Sequence, residues 1–167
     1  GVLHCDSRKI LANYLHPAEG GTGKGGLRMT DDSPREMGSL SFLLIDDNEF
    51  TRIVVTKVLG NLGISSVATA ANGAEALAHM DSTDSTPDVL LVDLRMPAMS
   101  GLELLERLSD RGYGGAVILI SGTDKDTLAA AQELANRHSV NVLGYITKPV
   151  DKQSLADLLA RISHQHP

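Results

Sequence analysis

The chain has 167 residues, which is enough for one domain of ordinary size with room for an additional segment. Hydrophobic residues make up 42% of the chain but aromatic residues only 3%, so we expect a core built from Val, Leu, Ile and Ala. The net charge of −6 argues against direct binding to nucleic acid or to an anionic membrane, and no run approaches the ~20 apolar residues of a membrane span.

The first part of the chain differs in composition from the rest. Residues 1–40 hold five acidic and five basic side chains, so all of the net charge lies in residues 41–167. Five of the seven residues from Gly20 to Gly26 are glycine, which makes ordering costly in entropy. We therefore predict that residues 1–40 are a flexible N-terminal tail or an upstream extension. The single cysteine, Cys5, excludes an internal disulfide framework and favours a reducing, cytoplasmic location.

From residue 41 onward, apolar segments of strand length alternate with helical patterns. Strands are predicted at about 41–45, 65–70, 88–92, 116–120 and 142–146. Helices are predicted at about 48–61, 73–81, 101–110, 124–137 and 151–163. The third and fourth apolar runs are continuous, which indicates strands covered on both faces and hence a parallel sheet. The second run is weaker and suits an edge strand.

Five βα repeats predict an α/β fold, a (βα)5 doubly wound three-layer sandwich of the flavodoxin-like type. At this size we expect a parallel five-stranded sheet with strand order 2-1-3-4-5. This order places the first and third strands side by side. We expect residues 41–164 to form this domain and residues 165–167 to be a short C-terminal tail.

Acidic side chains stand at the ends of two predicted strands. Asp46 and Asp47 end the first apolar run, and Asp93 ends the third, with Met96 and Pro97 shortly after. Open α/β sheets bind their ligands at the carboxyl ends of the strands. Three carboxylates there would repel one another unless a cation lies between them. An all-oxygen site of this kind suits Mg²⁺.

Two further side chains follow the remaining strands. Ser121 ends the fourth apolar run, and Lys148 ends the fifth, directly before Pro149. A carboxylate can act as a nucleophile and form an acyl phosphate. A lysine and a hydroxyl can neutralise charge on the transferred phosphoryl oxygens. The set therefore indicates phosphoryl transfer.

These motifs resemble the receiver domain of two-component response regulators, the phosphoacceptor domain of the chemotaxis-receiver type. The resemblance covers about residues 40–164, and its motifs follow the first, third, fourth and fifth strands in order. They are Asp46-Asp47, Asp93 with Met96-Pro97 and Gly101, Ser121-Gly122, and Lys148-Pro149.

The resemblance implies a role for each matching residue. Asp93 would be the phosphoacceptor, which takes a phosphoryl group from a phosphohistidine on a sensor histidine kinase or a histidine phosphotransfer protein. Asp46, Asp47, Asp93 and the backbone carbonyl of Arg95 would hold Mg²⁺. Lys148 would pair with Asp93 before phosphorylation and with a phosphoryl oxygen afterwards. The domain would thus catalyse its own phosphorylation and dephosphorylation without being a conventional enzyme.

The resemblance also implies a conformational switch. Ser121 would swing toward the phosphoryl group, and the ring of Tyr145 would move inward with it. The Lys148–Pro149 peptide bond would be cis, and Pro97 and Gly101 would have structural roles. The readout would be the surface of the fourth helix, fifth strand and fifth helix, which would contact a downstream effector domain or protein.

Several alternatives stay open from the sequence. A degenerate receiver would act as a constitutive protein-interaction domain. A phosphatase with an aspartate nucleophile, of the haloacid dehalogenase type, would need a second aspartate where this chain has Arg95. The receiver is expected to stand alone or to belong to a larger regulator, and the sequence is compatible with a homodimer. The segment 140–149 resembles receivers attached to cyclic-di-GMP phosphodiesterase domains.

Overall fold

A computed structural model of the chain describes residues 36–122 and 125–162, in which strands and helices alternate after a short 3-10 helix at Met37–Ser39. The strands are β1 (Ser41–Ile45), β2 (Ser66–Ala70), β3 (Val89–Asp93), β4 (Ala116–Ser121) and β5 (Asn141–Thr147). The helices are α1 (Glu49–Asn61), α2 (Gly73–Ser82), α3 (Gly101–Asp110), α4 (Lys125–His138) and α5 (Lys152–Leu159). The predicted tails lie outside the described residues, apart from residues 36–40.

The strands form one parallel sheet in the order β2-β1-β3-β4-β5, which confirms the predicted fold and strand order. Strands β3 and β4 are buried along their whole length, as their continuous apolar runs predicted. The weaker strand β2 lies at one edge of the sheet, and β5 lies at the other. The first and third strands are neighbours, so their carboxyl ends meet.

Two hydrophobic cores cover the two faces of the sheet, because successive side chains of a strand point to opposite faces. On the face covered by α1 and α5, the core includes Leu44, Leu59, Ile120 and Leu155. On the face covered by α2, α3 and α4, it includes Leu43, Leu77, Leu105, Leu119 and Ala131. These are called the α1/α5 face and the α2/α3/α4 face below. The cores are mainly aliphatic, as the composition predicted.

Side-chain caps fix the start of four helices. Asn48, Asn72, Ser100 and Asp151 each accept a hydrogen bond from the backbone N–H three residues further on. Such caps satisfy N–H groups that the first helical turn leaves without partners. The first of them lies directly after Asp46-Asp47, so the start of α1 is tied to the acidic end of β1.

The element bounds agree with the sequence to within about one residue, except at the end of α5. This helix ends at Leu159, whereas the apolar pattern predicted helix to residue 163. The side chain of Arg161, in the turn that follows, donates to the carbonyl of Leu143 on β5. Ile162 still packs against the core of the α1/α5 face, which explains why the pattern continues beyond the helix. Within the described ranges, no helix combines the length and apolarity needed to cross a membrane.

Candidate functional site

The carboxyl ends of β1 and β3 bring three aspartates together. Asp46, Asp47 and Asp93 each offer a carboxylate oxygen, and these oxygens lie within 4.8 Å of one another. Asp46 and Asp93 are buried, whereas Asp47 is exposed. The cluster is therefore buried at Asp46 and Asp93 and accessible to solvent at Asp47.

Asp93 is the last residue of β3 and is only 3% exposed. The backbone N–H of Arg95 donates to its Oδ1 at 3.0 Å, and Lys148 Nζ donates to its Oδ2 at 3.0 Å. Burial raises the pKa of Asp93, and the charge of Asp46 adds to the rise, although the hydrogen bonds from Arg95 and Lys148 oppose it. The carboxylate is thus held in place at an electrostatic cost.

Lys148 lies between the two buried carboxylates. Its Nζ is 3.0 Å from Oδ2 of Asp46 and 3.0 Å from Oδ2 of Asp93. Desolvation lowers the pKa of Lys148, but its attraction to the two carboxylates outweighs this and raises the pKa overall. Lys148 therefore stays cationic, and its peptide bond to Pro149 is cis.

Asp46 has one oxygen suited to a metal ion. Its Oδ1 accepts the N–H of Asn48 at 2.8 Å, and its backbone carbonyl accepts Nη1 of Arg52 at 2.7 Å. Its buried Oδ2 receives no well-oriented hydrogen bond, although Lys148 Nζ lies close to it. The Lys148 ammonium offsets part of the cost of burying this oxygen, which can still accept a further cation. The oxygen and its carboxylate neighbours fit a hard cation such as Mg²⁺.

Arg52 is a residue that the sequence did not single out. Its guanidinium supports the backbone of Asp46 and thereby the acidic end of β1. The only sequence signal was an arginine near the start of the first helix. Exposed arginines are common on helices, so this signal is weak.

The segment after Asp93 packs closely against the start of α3. Arg95 and Pro97 are exposed, and the N–H of Gly101 donates to the carbonyl of Leu94 at 3.2 Å. A Cβ at Gly101 would lie 2.7 Å from the carbonyl oxygen of Asp93 and from Cα of Leu94. A side chain does not fit there without a backbone shift, so Gly101 supports the end of β3.

The two predicted switch residues differ in burial. Ser121 is buried at the end of β4, and its hydroxyl donates to the carbonyl of Gly122 at 3.2 Å. Tyr145 lies on β5 with 58% of its surface exposed. The structure therefore unites Asp46, Asp47, Asp93 and Lys148, while the Tyr145 ring remains outside.

Comparison with known proteins agrees with this geometry. The family described as "Response regulator receiver domain" matches residues 42–160. A "Positive alginate biosynthesis regulatory protein" of Pseudomonas aeruginosa is 35% identical over 126 residues, which cover 74% of this chain and 47% of that protein. The "Cyclic di-GMP phosphodiesterase RocR" of the same species is 32% identical over 125 residues, covering 75% and 32% of the two chains.

A solved structure supports the same assignment. The "response regulator receiver domain Protein" of Clostridium thermocellum superposes with a TM-score of 0.65 at 25% identity, covering 75% of this chain and 95% of that one. By contrast, the first curated relatives are longer, and the chain covers only 47%, 50% and 34% of them. The family match spans most of the chain and coincides with the folded sheet and its acidic end, so the chain belongs to the response regulator receiver domain family.

Proposed function

We propose that the chain accepts a phosphoryl group on Asp93 from a phosphohistidine of a sensor histidine kinase or a histidine phosphotransfer protein. Receiver domains act with kinases and effector domains in two-component systems. The proposal rests on the position of Lys148. Its Nζ lies 3.0 Å from the buried carboxylates of Asp46 and Asp93, next to the exposed carboxylate of Asp47. This supports a site in which a nucleophile, a cation and a set of metal-binding carboxylates act together at the carboxyl ends of the strands.

The chemistry follows from the environment of Asp93. One carboxylate oxygen forms a bond to phosphorus while the bond from phosphorus to the imidazole nitrogen of the partner breaks. The electron pair of the broken bond stays on the imidazole. The N–H of Arg95 and the ammonium of Lys148 fix the carboxylate before the attack, which lowers the entropic part of the barrier.

Asp46, Asp47, Asp93 and the backbone carbonyl of Arg95 would hold Mg²⁺. When bound, this ion supplies positive charge that offsets the carboxylates and the phosphoryl oxygens. Asp47 is exposed, so the ion and the phosphodonor would reach the site from its side. Asp46 would hold its place through the contacts with Asn48 and Arg52.

Phosphorylation would change the charge balance at the end of the sheet. It adds about −1.5 to −2 charges at Asp93. Lys148 would transfer its ion pair to a phosphoryl oxygen, and the Ser121 hydroxyl would leave the Gly122 carbonyl for another phosphoryl oxygen. Tyr145 would then move inward, and the surface formed by α4, β5 and α5 would carry the signal to an effector.

Intact-mass analysis tests this proposal. Incubation with Mg²⁺ and acetyl phosphate should add one phosphoryl group to the wild-type protein, and addition of EDTA should prevent it. Asp93→Asn should show no adduct, whereas Asp84→Asn, in the segment before β3, should behave as the wild type. Absence of an adduct on the wild-type chain, or an equal adduct on Asp93→Asn, would contradict the proposal.

One relative suggests an output. The similarity to RocR extends over 125 residues and supports a receiver that regulates a cyclic-di-GMP phosphodiesterase. Hydrolysis of cyclic-di-GMP by the complete gene product, compared with its Asp93→Asn form, measures this link. Equal hydrolysis by the two forms, with or without phosphodonor, would exclude this output.

A further inference from the structure

Strand β5 contains a β-bulge opposite β4. Val142 pairs with Val117 and Gly144 pairs with Ile118, so Leu143 has no partner residue on β4. An extra residue of this kind bends the strand and redirects the side chains that follow.

The bulge inverts the alternation of side chains along β5. Leu143 and Ile146 both belong to the core of the α1/α5 face, although residues three apart in a regular strand point to opposite faces. Beyond the bulge, Tyr145 pairs with Leu119, which belongs to the core of the α2/α3/α4 face. Without the bulge, Tyr145 would point to the α1/α5 face, away from α4.

Arg161 ties this bulge to the end of α5. Its Nη1 donates to the carbonyl of Leu143 at 2.8 Å. Gly144 leaves room for the contact, because a Cβ there would lie 2.6 Å from Cδ2 of Leu158 and 3.4 Å from Nη1 of Arg161. A charged donor makes a stronger hydrogen bond than a neutral one. The bulge is therefore stabilised by the side chain of a residue that lies outside the sheet.

The register beyond the bulge also positions Lys148. Thr147 pairs with Ser121, and the N–H of Lys148 donates to the carbonyl of Ser121 at 2.9 Å. From this position Lys148 Nζ reaches Asp93 at 3.0 Å. A slip by one residue would move the strand by about 3.3 Å, which is more than a hydrogen bond tolerates.

We propose that Arg161 is a positioning residue, which holds the bulge at Leu143 and thereby fixes Lys148 against Asp93 and directs Tyr145 to the α4 side of the sheet. Arg161 does not itself touch the reacting atoms. The effect on phosphorylation rests on the function proposed above, whereas the effect on Tyr145 does not.

Three variants separate this role from a general effect of surface charge. Arg161→Met removes the donors and keeps most of the aliphatic stem, and Arg161→Lys retains a charged donor. Arg107→Met is the matched control, because Arg107 forms an exposed ion pair with Glu103 on α3, outside the proposed signalling surface. Far-ultraviolet circular dichroism verifies that each variant is folded. If Arg161→Met does not fold, Arg161→Gln takes its place.

The first measurement is ¹⁹F NMR of protein labelled with 3-fluorotyrosine. Comparison with Tyr145→Phe assigns the Tyr145 signal. We expect Arg161→Met to shift or broaden this signal, Arg161→Lys to restore it, and Arg107→Met to leave it unchanged. The signal of Tyr113, which lies in the core of the α2/α3/α4 face, should stay constant. An unchanged Tyr145 signal in Arg161→Met would overturn the proposal.

The second measurement is the rate of phosphoryl uptake from acetyl phosphate with Mg²⁺. Loss of one charge-assisted hydrogen bond should slow Arg161→Met by about fivefold. Arg161→Lys should recover most of the rate, and Arg107→Met should equal the wild type. A wild-type rate in Arg161→Met would refute the link to Lys148. If the wild type itself takes up no phosphoryl group, the proposed function fails, while the Tyr145 signal still tests Arg161.

Discussion

The centre of the sheet and its β5 edge contribute to the same site in different ways. Strands β3 and β4 are buried from end to end, whereas β5 alternates between buried and exposed residues and contains a bulge. Asp93 comes from the centre, and Lys148 follows the edge strand. The centre thus fixes the proposed nucleophile by packing, while the edge presents the neighbouring ammonium group through a strand that is covered on fewer sides.

This difference predicts a division between the effects of substitutions in the two regions. Substitutions at the centre should mainly change stability and the geometry of Asp93. Substitutions on the exposed part of β5 should mainly change how the site communicates with the surface. Four predictions test that division.

The first prediction compares two buried leucines, one in each region. Leu91 on β3 is 0% exposed and Leu143 in the β5 bulge is 4% exposed. We expect Leu91→Ala to lower the free energy of unfolding by about 3 kcal/mol, because the surrounding core cannot collapse into the cavity. Leu143→Ala should cost less, because an edge strand can shift into the space. Urea unfolding measures both, and equal costs would contradict a rigid centre and an adaptable edge.

The second prediction concerns the support of β3 by α3. Gly101→Ala should lower the free energy of unfolding by about 2 kcal/mol, because the new Cβ meets the backbone of Asp93 and Leu94. It should also slow phosphoryl uptake by moving Asp93. Gly60→Ala is a control, because a Cβ at Gly60 meets no atom within 4 Å. If the free energies of unfolding of Gly101→Ala and of the control were equal, the centre would be less tightly packed than its geometry indicates.

The third prediction uses pH. The folded protein binds the Asp93 proton more tightly than the unfolded chain, because burial raises the pKa of this carboxyl above its usual value of 3.8. The resulting stability is present below the unfolded pKa and is lost as pH rises through the folded pKa.

Asp93→Asn should therefore flatten this decline and be more stable than the wild type at neutral pH without Mg²⁺. Urea midpoints between pH 3 and pH 7 measure the effect. If the stability of Asp93→Asn declined with rising pH as steeply as that of the wild type, the decline would arise from another ionisable group.

The fourth prediction concerns the exposed edge. Tyr145→Ala should change the free energy of unfolding by less than about 0.5 kcal/mol, because the ring is 58% exposed. The rate of phosphoryl uptake should also remain near the wild-type value, while binding to a downstream effector should change. A large loss of stability would show that the edge is as tightly packed as the centre.

Much of this arrangement could be predicted from the sequence. The continuous apolar runs of β3 and β4 predicted a parallel sheet, and its strand order placed Asp46, Asp47 and Asp93 at neighbouring strand ends. The bulge could not be predicted, because Val142, Leu143 and Ile146 fit a single apolar run, and pairing with β4 is needed to show an extra residue.

The contacts of Arg52 and Arg161 were also beyond sequence reasoning. Each arginine donates to a backbone carbonyl, and a carbonyl leaves no signal in the amino-acid pattern. The end of α5 was misplaced for a related reason. Ile162 continues the apolar spacing although the helix stops at Leu159, so periodicity alone cannot separate a helix from a turn that packs on the same core.

The bulge has a consequence for building chimeric regulators. A designer who transplants the signalling surface from one receiver to another would choose boundaries by helices and strands, and could cut between β5 and the turn after α5. That cut would separate the Leu143 carbonyl from the arginine that binds it. On the role proposed for Arg161, the smallest transferable unit runs from Asn141 to Arg161, and hybrids that divide it are expected to fold while losing the proposed coupling between site and surface.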